Sequence, residues 1–211
     1  MSMIELNNLA KNYGSKAILS KFTLHVSEGE FVALTGASGR GKSTLLNIIG
    51  LIENFDEGEY RIENQINVVP NSRKANKLLR QTISYLFQNF ALIDDETVAY
   101  NLNLALKYLS KNSKEKKIQI QNALNKVGLQ GYENRKVYEL SGGEQQRIAI
   151  ARIMLKPCKI ILADEPTGSL DEKNRDIIIE LLKNLNREGK TIIIATHDKH
   201  IVKQCQRVVN L

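Results

Sequence analysis

Short apolar runs recur along the chain and are separated by stretches of helical periodicity. The runs are FVALTG (31–36), ISYLF (83–87), KIILAD (159–164) and TIIIAT (191–196). They are rich in aliphatic residues and do not alternate with polar ones, which is typical of parallel strands covered on both faces. The helical patterns are STLLNIIGLI (43–52), EQQRIAIARIML (144–155) and RDIIIELLKNLNREG (175–189). This alternation predicts an α/β fold with a mainly parallel sheet.

Two regions depart from that alternation. Residues 1–30 have the pattern of short strands with turns at Gly14 and Gly29, which predicts an antiparallel β layer. Residues 89–155 contain no buried strand but several helical stretches, including NLNLALKYLS and IQIQNALNKVG. We therefore expect one domain over residues 1–211, with an α/β core (1–88 and 156–211) and an inserted helical subdomain (89–155).

Composition and charge narrow the class of protein. Hydrophobic residues make up 42% of the chain, enough for a sizeable core. No run approaches the about 18 apolar residues that span a bilayer, and the N-terminus lacks a signal-peptide pattern, so we expect a cytosolic protein. The net charge of +7 is compatible with nucleic acid, an anionic surface or a solvated surface, and we interpret the basic run KNSKEKK (111–117) as solvated. Cys158 and Cys205 are expected to be buried reduced thiols.

The segment GASGRGKST (36–44) carries the first chemical signal. It completes the frame G-x-x-x-x-G-K-[ST] with Gly36, Gly41, Lys42 and Ser43. A predicted strand precedes it and a helix follows, as a phosphate-binding loop requires. Loop N–H groups and the helix dipole favour a phosphate, Lys42 adds a compact positive charge, and the Ser43 hydroxyl suits Mg²⁺. The sequence therefore predicts a nucleoside triphosphate site.

Two further segments supply what such a site needs. In KIILADEP, Asp164 ends a predicted strand, where it can hold Mg²⁺, and Glu165 follows, where it can polarise an attacking water. In LSGGE (140–144), Ser141 and Glu144 have the spacing of a capping box at a helix start, and a glycine-rich helix N-terminus can bind an anion. If this helix start lies at the far end of the helical subdomain, it cannot easily serve the phosphate loop of its own chain, but it could serve that of a second copy.

These motifs, in this order, resemble those of the ATP-binding subunits of ABC transporters. GASGRGKST resembles the family's Walker A motif, LSGGEQQR (140–147) its signature, and KIILADEPTGSLD (159–171) its Walker B motif with the D-loop. Four single residues match further family positions: Tyr13 the adenine-stacking aromatic, Gln88 the Q-loop glutamine, Asp171 the D-loop aspartate and His197 the switch histidine. The resemblance covers almost the whole chain.

The resemblance implies two subunits that close head to tail around two ATP molecules. The nucleotide-binding residues it implies are Tyr13, Gly36, Ser38, Gly39, Arg40, Gly41, Lys42, Ser43, Thr44, Ser141, Gly143 and Asp171. Mg²⁺ would be held by Ser43, Gln88 and Asp164. Ser141 and Gly143 would contact the γ-phosphate bound by the other subunit. Glu165 would be the general base, and His197 would contact the γ-phosphate, with Gln88 completing the catalytic set.

The amino-acid sequences of these motifs most resemble those of the macrolide-export and lipoprotein-release branch of the family. That implies a separate membrane permease, met near residues 89–102, export of a peptide, lipid or antibiotic-like substrate, a place at the cytoplasmic face of the membrane, and no nucleic acid. A cell-division or mechanotransmission complex remains an alternative. DNA-associated and translation-factor ABC proteins are less compatible, because the chain has one ATPase domain and no sustained heptads between Walker A and the signature.

Arg40 departs from the family, which has a small residue at this place in the loop. We expect its side chain to project toward the dimer interface. There it would pair with an acid of the partner, such as Asp171, or add positive charge near the phosphates. The alternative is a tolerated, solvent-facing substitution, and the sequence leaves both open.

Overall fold

The computed structural model describes residues 2–109 and 112–211. Its strands are β1 (Ser2–Tyr13), β2 (Lys16–Ser27), β3 (Phe31–Thr35), β4 (Glu57–Ile62), β5 (Gln65–Ile66), β6 (Ile83–Leu86), β7 (Ile160–Asp164), β8 (Thr191–Ala195) and β9 (Arg207–Asn210). Its helices are α1 (Lys42–Ile49), α2 (Arg73–Gln81), α3 (Val98–Ala105), α4 (Ser113–Lys126), α5 (Gly142–Met154), α6 (Glu172–Arg187) and α7 (Lys199–Val202), with a 3-10 turn at Val137–Glu139.

A parallel sheet forms the centre of the molecule, with the strand order β6-β7-β8-β3-β9. The four predicted buried strands are its first four members, which confirms the α/β prediction. All five residues of β8 are buried, as expected for a strand covered on both faces. Because β3 and β7 flank β8 in parallel, the loop after β3 and Asp164 at the end of β7 emerge at the same edge.

An antiparallel sheet with the order β2-β1-β4-β5 forms a second layer, which confirms the predicted N-terminal β layer. It differs from the expectation in two ways: residues 2–27 form two long strands rather than several short ones, and residues 57–66 add β4 and β5. The hairpin turns at Gly14, whose φ is 59°. Tyr60 of β4 is fully buried and donates its hydroxyl to the Ile49 carbonyl (2.7 Å), so this sheet is tied to α1.

Two apolar clusters lie on opposite faces of the parallel sheet. One packs α1 and the antiparallel sheet against it, through residues such as Leu46 and Ile62. The other packs α3, α4, α5 and α6 against it, through residues such as Ile150 and Leu182. Residues 89–155 are thus helical, as expected, although their status as a separate subdomain with those bounds stays a prediction. Among the described residues, no helix is both long and apolar enough to cross a membrane.

Two of the sequence patterns reach beyond the described residues. Ser110, the last residue of NLNLALKYLS, and Lys111, the first of KNSKEKK, lie outside them, as does Met1. The remainder of the basic run, residues 112–117, is largely exposed around the start of α4. That exposure agrees with the interpretation of a solvated surface.

Candidate nucleotide site

The phosphate-binding loop has a backbone that requires glycine. Gly36, Gly39 and Gly41 have φ of 144°, 76° and 92°, a region that side-chain-bearing residues rarely adopt. A Cβ at Gly41 would also lie 2.6 Å from the Ile18 side chain of the β1–β2 hairpin. The sequence therefore folds a tight loop between β3 and α1.

The N-terminus of α1 is open to an anion. Its cap, Gly41, offers no side-chain hydrogen bond, and the first turn contains no acid. Lys42 extends back over the loop, where its Nζ donates to the carbonyls of Gly36 (2.8 Å) and Ala37 (3.2 Å). The first amides of a helix have no partner within the helix, so unpaired donors, a positive dipole end and an ammonium group converge here.

Asp164, at the end of β7, has the features of a cation ligand. Its Oδ1 is buried and has no hydrogen-bond partner among the residues that the structure describes. Burial raises the pKa of this carboxyl and the neighbouring charge of Glu165 adds to the rise, while a hydrogen bond with Ser43 opposes it. A buried carboxylate oxygen without a partner next to a hydroxyl is a set that Mg²⁺ binds together with phosphate oxygens. The residues therefore fit the metal that the sequence predicted.

Glu165 is held in an unusual backbone conformation beside His197. Its φ is 43°, in the left-handed region, and its N–H donates to the Ala195 carbonyl (2.9 Å). The Glu165 Oε1 lies 2.8 Å from His197 Nδ1. The Glu165 side chain is 17% exposed, whereas that of His197 is 74% exposed. The structure thus places His197 beside the expected base with most of its side chain exposed, and its contact with a γ-phosphate stays a prediction.

A cleft of about 440 Å³ brings most of the predicted site together. Its lining comprises Lys16, Ile18, Ser38, Gly39, Gly41, Lys42, Ser43, Thr44, Gln88, Asp164 and Glu165. Gly36 begins the same loop without lining the cleft. Lys16 and Ile18 were not predicted, since they come from β2 in the other sheet. No local sequence pattern marks these two residues, because only the packing of β2 against the phosphate-binding loop brings them to the cleft.

Tyr13 lies at the end of β1 with half of its surface exposed. Its hydroxyl donates to Glu53, and this hydrogen bond raises the pKa of the phenol, helped by burial, while a hydrogen bond with Thr44 opposes the rise. The amine of Lys11 lies 5.1 Å from the ring centroid. The ring is thus exposed while its hydroxyl is held by Glu53, and its stacking on a base stays a prediction.

The signature segment lies outside this cleft and has its own closed hydrogen-bond network. Ser141 caps α5, and the Glu144 Oε2 accepts from both the Ser141 N–H and its hydroxyl, each at 2.8 Å. The Tyr132 hydroxyl donates to the other carboxylate oxygen (2.8 Å). Burial opposes ionisation of Glu144, but the hydrogen bonds from Ser141 and Tyr132 outweigh it and hold the pKa of Glu144 below its usual value. The capping box predicted from the sequence is therefore present.

Gly143 is buried and closely packed in this structure. A Cβ there would lie 2.4 Å from the side chain of Asn174, in the first turn of α6. Asn174 in turn donates to Asp171 (2.8 Å) and accepts from Arg147 (2.9 Å). Ser141 and Asp171 thus lie exposed on one surface at the starts of α5 and α6, whereas Gly143 is buried, and the chain does not bring the three residues to its own cleft.

Arg40 is exposed and does not line the cleft. Its side chain forms no hydrogen bond or ion pair within residues 2–109 and 112–211, and its N–H donates to the Ala37 carbonyl (3.3 Å). A single copy of the chain therefore gives this guanidinium no partner among those residues.

Comparisons with known proteins agree with this arrangement. The family described as "ABC transporter" matches residues 19–168. The macrolide export ATP-binding/permease protein MacB of Campylobacter jejuni is 40% identical over 210 residues, which are 99% of this chain and 33% of that protein. The uncharacterized ABC transporter ATP-binding protein YvrO of Bacillus subtilis is 42% identical over 98% of this chain and 92% of its own length. The chain thus spans about a third of the macrolide exporters it matches.

Two solved structures extend the comparison to the fold. The dimeric structure of MJ0796, described as a bacterial ABC transporter cassette, has a TM-score of 0.90 and 40% identity, covering 99% of this chain and 94% of that one. A dimeric post-hydrolysis state of MJ0796 bound to ADP and Pi has a TM-score of 0.90 and 38% identity over the same shares.

Proposed function

This chain belongs to the ABC transporter family as an ATP-hydrolysing cassette, and we propose that it drives a separate membrane permease that exports a peptide, lipid or antibiotic-like molecule. One observation carries the proposal: a single short segment, residues 87–91, borders two cavities. Gln88 lines the nucleotide cleft, while Phe87 and Ala91 line an apolar groove of about 500 Å³ on the neighbouring face. The segment can therefore relay the state of the nucleotide to whatever occupies the groove.

The groove has the shape and chemistry to receive a short amphipathic segment of the permease. Exposed apolar side chains, including Ile52, Leu104 and Tyr108, face it, so its occupant must be apolar on one side. The Arg80 guanidinium lies 4.0 Å from the Tyr108 ring centroid at its border, which favours an acidic group on the occupant. The matched macrolide exporters carry names that place an ATP-binding part and a permease in one protein.

The cleft residues account for ATP hydrolysis in the proposed mechanism. Lys42 and the loop amides bind and orient the phosphates, since phosphoryl transfer depends mainly on positioning and charge stabilisation. Ser43, Asp164 and Gln88 would hold Mg²⁺, which offsets phosphate charge when bound. Glu165, held by its backbone and by His197, accepts a proton from the attacking water.

A second copy completes the site in this proposal. The Ser141 surface lies outside the cleft of its own chain, and the matched MJ0796 cassette has been solved as a dimer. In a head-to-tail pair, the start of α5 from one copy would face the γ-phosphate held by the other. The closed state would then depend on the γ-phosphate, which couples hydrolysis to opening. Through the permease, the pair would lie at the cytoplasmic face of the membrane.

Reconstitution with the permease that co-purifies with this chain from membranes tests the proposal. Leu104→Glu puts a charge in the groove and is expected to abolish permease-stimulated ATP hydrolysis, while Ile118→Glu, equally exposed on α4 but outside the groove, preserves it. Equal stimulation of both variants would contradict docking in the groove. A four-span permease with a large extracellular domain that moves substrate outward supports export. One that moves no substrate points to mechanotransmission, and a six-span permease working with a solute-binding protein contradicts export.

A further inference from the structure

A buried glutamine of the signature helix holds the loop that carries Glu165. Gln146 lies in the second turn of α5, and its side chain is 0% exposed. Its Nε2 donates to the Pro166 carbonyl at 2.6 Å, entirely within the protein interior. Pro166 follows Glu165 directly in the chain, so this amide acts on the peptide unit next to the expected base.

The turn that Gln146 contacts has a strained backbone, which backbone hydrogen bonds also hold. Glu165 has a φ of 43°, its N–H donates to Ala195 (2.9 Å), and its carbonyl accepts from Gly168 (3.1 Å). Left-handed residues with side chains persist only where the surroundings fix them. Within the described residues, Gln146 supplies the side-chain hydrogen bond to the Pro166 carbonyl, between those two backbone contacts.

Burial of this amide is costly, which argues against a simple packing role. The Gln146 Oε1 is buried and has no hydrogen-bond partner in the described part of the chain. An unpaired buried acceptor is unfavourable, and an apolar side chain of similar size would remove it but would leave the Pro166 carbonyl without its donor. What an apolar side chain lacks is the donor to Pro166. We infer that Gln146 is a positioning residue, which orients the Glu165 carboxylate for proton abstraction; this rests on the proposed role of Glu165 and on the proposed two-copy site.

The neighbouring glutamine shows that this contact is specific to one position. The Gln145 Nε2 donates to the carbonyls of Val137 (3.2 Å) and Leu140 (3.0 Å), in the segment that leads to Ser141. Two adjacent amides on α5 therefore hold different structures: Gln145 the approach to the signature, and Gln146 the catalytic turn of its own chain.

Gln146→Met tests the inference in the purified protein, because methionine keeps the length and helix preference but removes the donor. We expect kcat for ATP hydrolysis to fall about 10- to 100-fold, since small misplacement of a catalytic group has effects of that size. ATP affinity is expected to stay within about twofold of the wild-type value, because Gln146 binds the Pro166 carbonyl and not the phosphate loop. Asn186→Leu is the control: it removes an amide that donates to the Gly29 and Lys190 carbonyls, remote from the cleft. A similar loss of kcat in the control would overturn the inference.

Mixed dimers separate positioning from a general effect on α5. Mixing Lys42→Ala chains with Ser141→Arg chains leaves one intact site, whose Glu165 belongs to the Ser141→Arg chain and whose signature belongs to the other. Gln146→Met on the Ser141→Arg chain is expected to lower the activity about tenfold or more. The same change on the Lys42→Ala chain affects the turn of the disabled site and is expected to cost at most about twofold.

Each outcome of the mixing experiment has a defined meaning. Equal losses from the two placements, or a larger loss on the Lys42→Ala chain, would overturn the role of Gln146. An inactive parent mixture would instead refute the two-copy site, and the comparison of Gln146→Met with Asn186→Leu would then decide alone. If Gln146→Met does not fold, as judged by thermal melting, Gln146→Asn keeps an amide in the same place but shortens its reach, and it enters the same comparison.

Discussion

The starts of α1 and α5 are two glycine-rich helix N-termini with opposite character. At α1 the cap residue Gly41 provides no side-chain hydrogen bond, the first turn has no acid, and Lys42 adds a positive charge. At α5 Ser141 caps the helix, and Glu144 closes a capping box with its carboxylate. The first end is therefore ready for a phosphate, whereas the second already contains its own anion.

This difference indicates an order of assembly under the proposed function. A bare phosphate would be repelled by Glu144, whose lowered pKa keeps it ionised. The N–H groups of Gly142 and Gly143 remain without a partner inside the helix by their position in the first turn. We therefore expect α5 to accept the γ-phosphate only after Lys42 and Mg²⁺ of the other copy have offset part of its charge. Glycine content alone does not define an anion site; the residues at and after the cap decide.

Removal of the proposed base, Glu165, should have the largest effect. The change affects the nucleotide cleft at the start of α1 and leaves the start of α5 intact. Glu165→Gln keeps the size of the side chain but cannot accept the proton, so hydrolysis should fall by about 10²- to 10⁴-fold. ATP binding should persist, because α1 is unchanged, and the ATP-bound dimer should accumulate. ATPase assays and light scattering with ATP measure both effects. Turnover at the wild-type rate would show that another group is the base.

Removing the Glu144 charge at the start of α5 should lower the stability of the fold moderately, by an amount that depends on pH. Glu144→Gln weakens the hydrogen bonds from Ser141 and Tyr132 and should lower stability at pH 7 by about 1 kcal/mol, the usual size of a cap contribution. Because the folded protein lowers the pKa of Glu144, its contribution is fully present above the unfolded value of 4.5 and is lost as the pH falls through the folded value.

Thermal melting over a pH series measures this contribution. The difference in stability between wild type and Glu144→Gln should be largest near neutral pH and should shrink below the unfolded pKa. Glu28→Gln is a suitable control, since Glu28 lies exposed in the β2–β3 turn and should give no such difference. A difference independent of pH would show that the Glu144 charge is not what closes the cap.

Arg40→Ser should have the smallest effect, because the side chain is exposed and unpaired within the described chain. The free energy of unfolding should change by less than about 0.5 kcal/mol, as for most surface substitutions. ATP-dependent dimerisation at low and high salt then separates the two interpretations. A changed salt dependence means that Arg40 meets a charge in the dimer, and an unchanged one means that it faces solvent.

The parts of the fold that could be predicted are those with an unambiguous hydrophobic pattern. The strands β3, β6, β7 and β8 are buried on both faces, so each appears as an uninterrupted apolar run. The missed elements are edge or surface elements that bury one side only. In β4 buried positions alternate with partly buried ones, in β9 partly buried positions alternate with exposed ones, and α2 buries only Ala75 and Leu78 among polar residues, so their patterns resemble loops.

In the candidate site, too, residues marked by a local sequence pattern were predictable, and those brought in by tertiary contacts were not. Residues of the phosphate loop, with Asp164 and Glu165, were predictable because each follows a recognisable strand at one sheet edge, whereas Gln88 was assigned from the family resemblance alone. Lys16, Ile18 and Glu53 reach the site from the other sheet and from the loop after α1, contacts that no local pattern encodes. Gly143 was assigned a phosphate contact, which stays a prediction, while the close approach of Asn174 adds a packing reason that only the structure reveals.

A mixing experiment tests most directly whether each ATP site is formed by the start of α1 of one chain and the start of α5 of the other. Lys42→Ala and Ser141→Arg chains should each be inactive alone. Mixed in equal amounts, they should recover about a quarter of the wild-type ATPase rate, because half of the dimers would be mixed and each would hold one intact site. A mixture no more active than its separate components would contradict the claim and would mean that each chain completes its site alone.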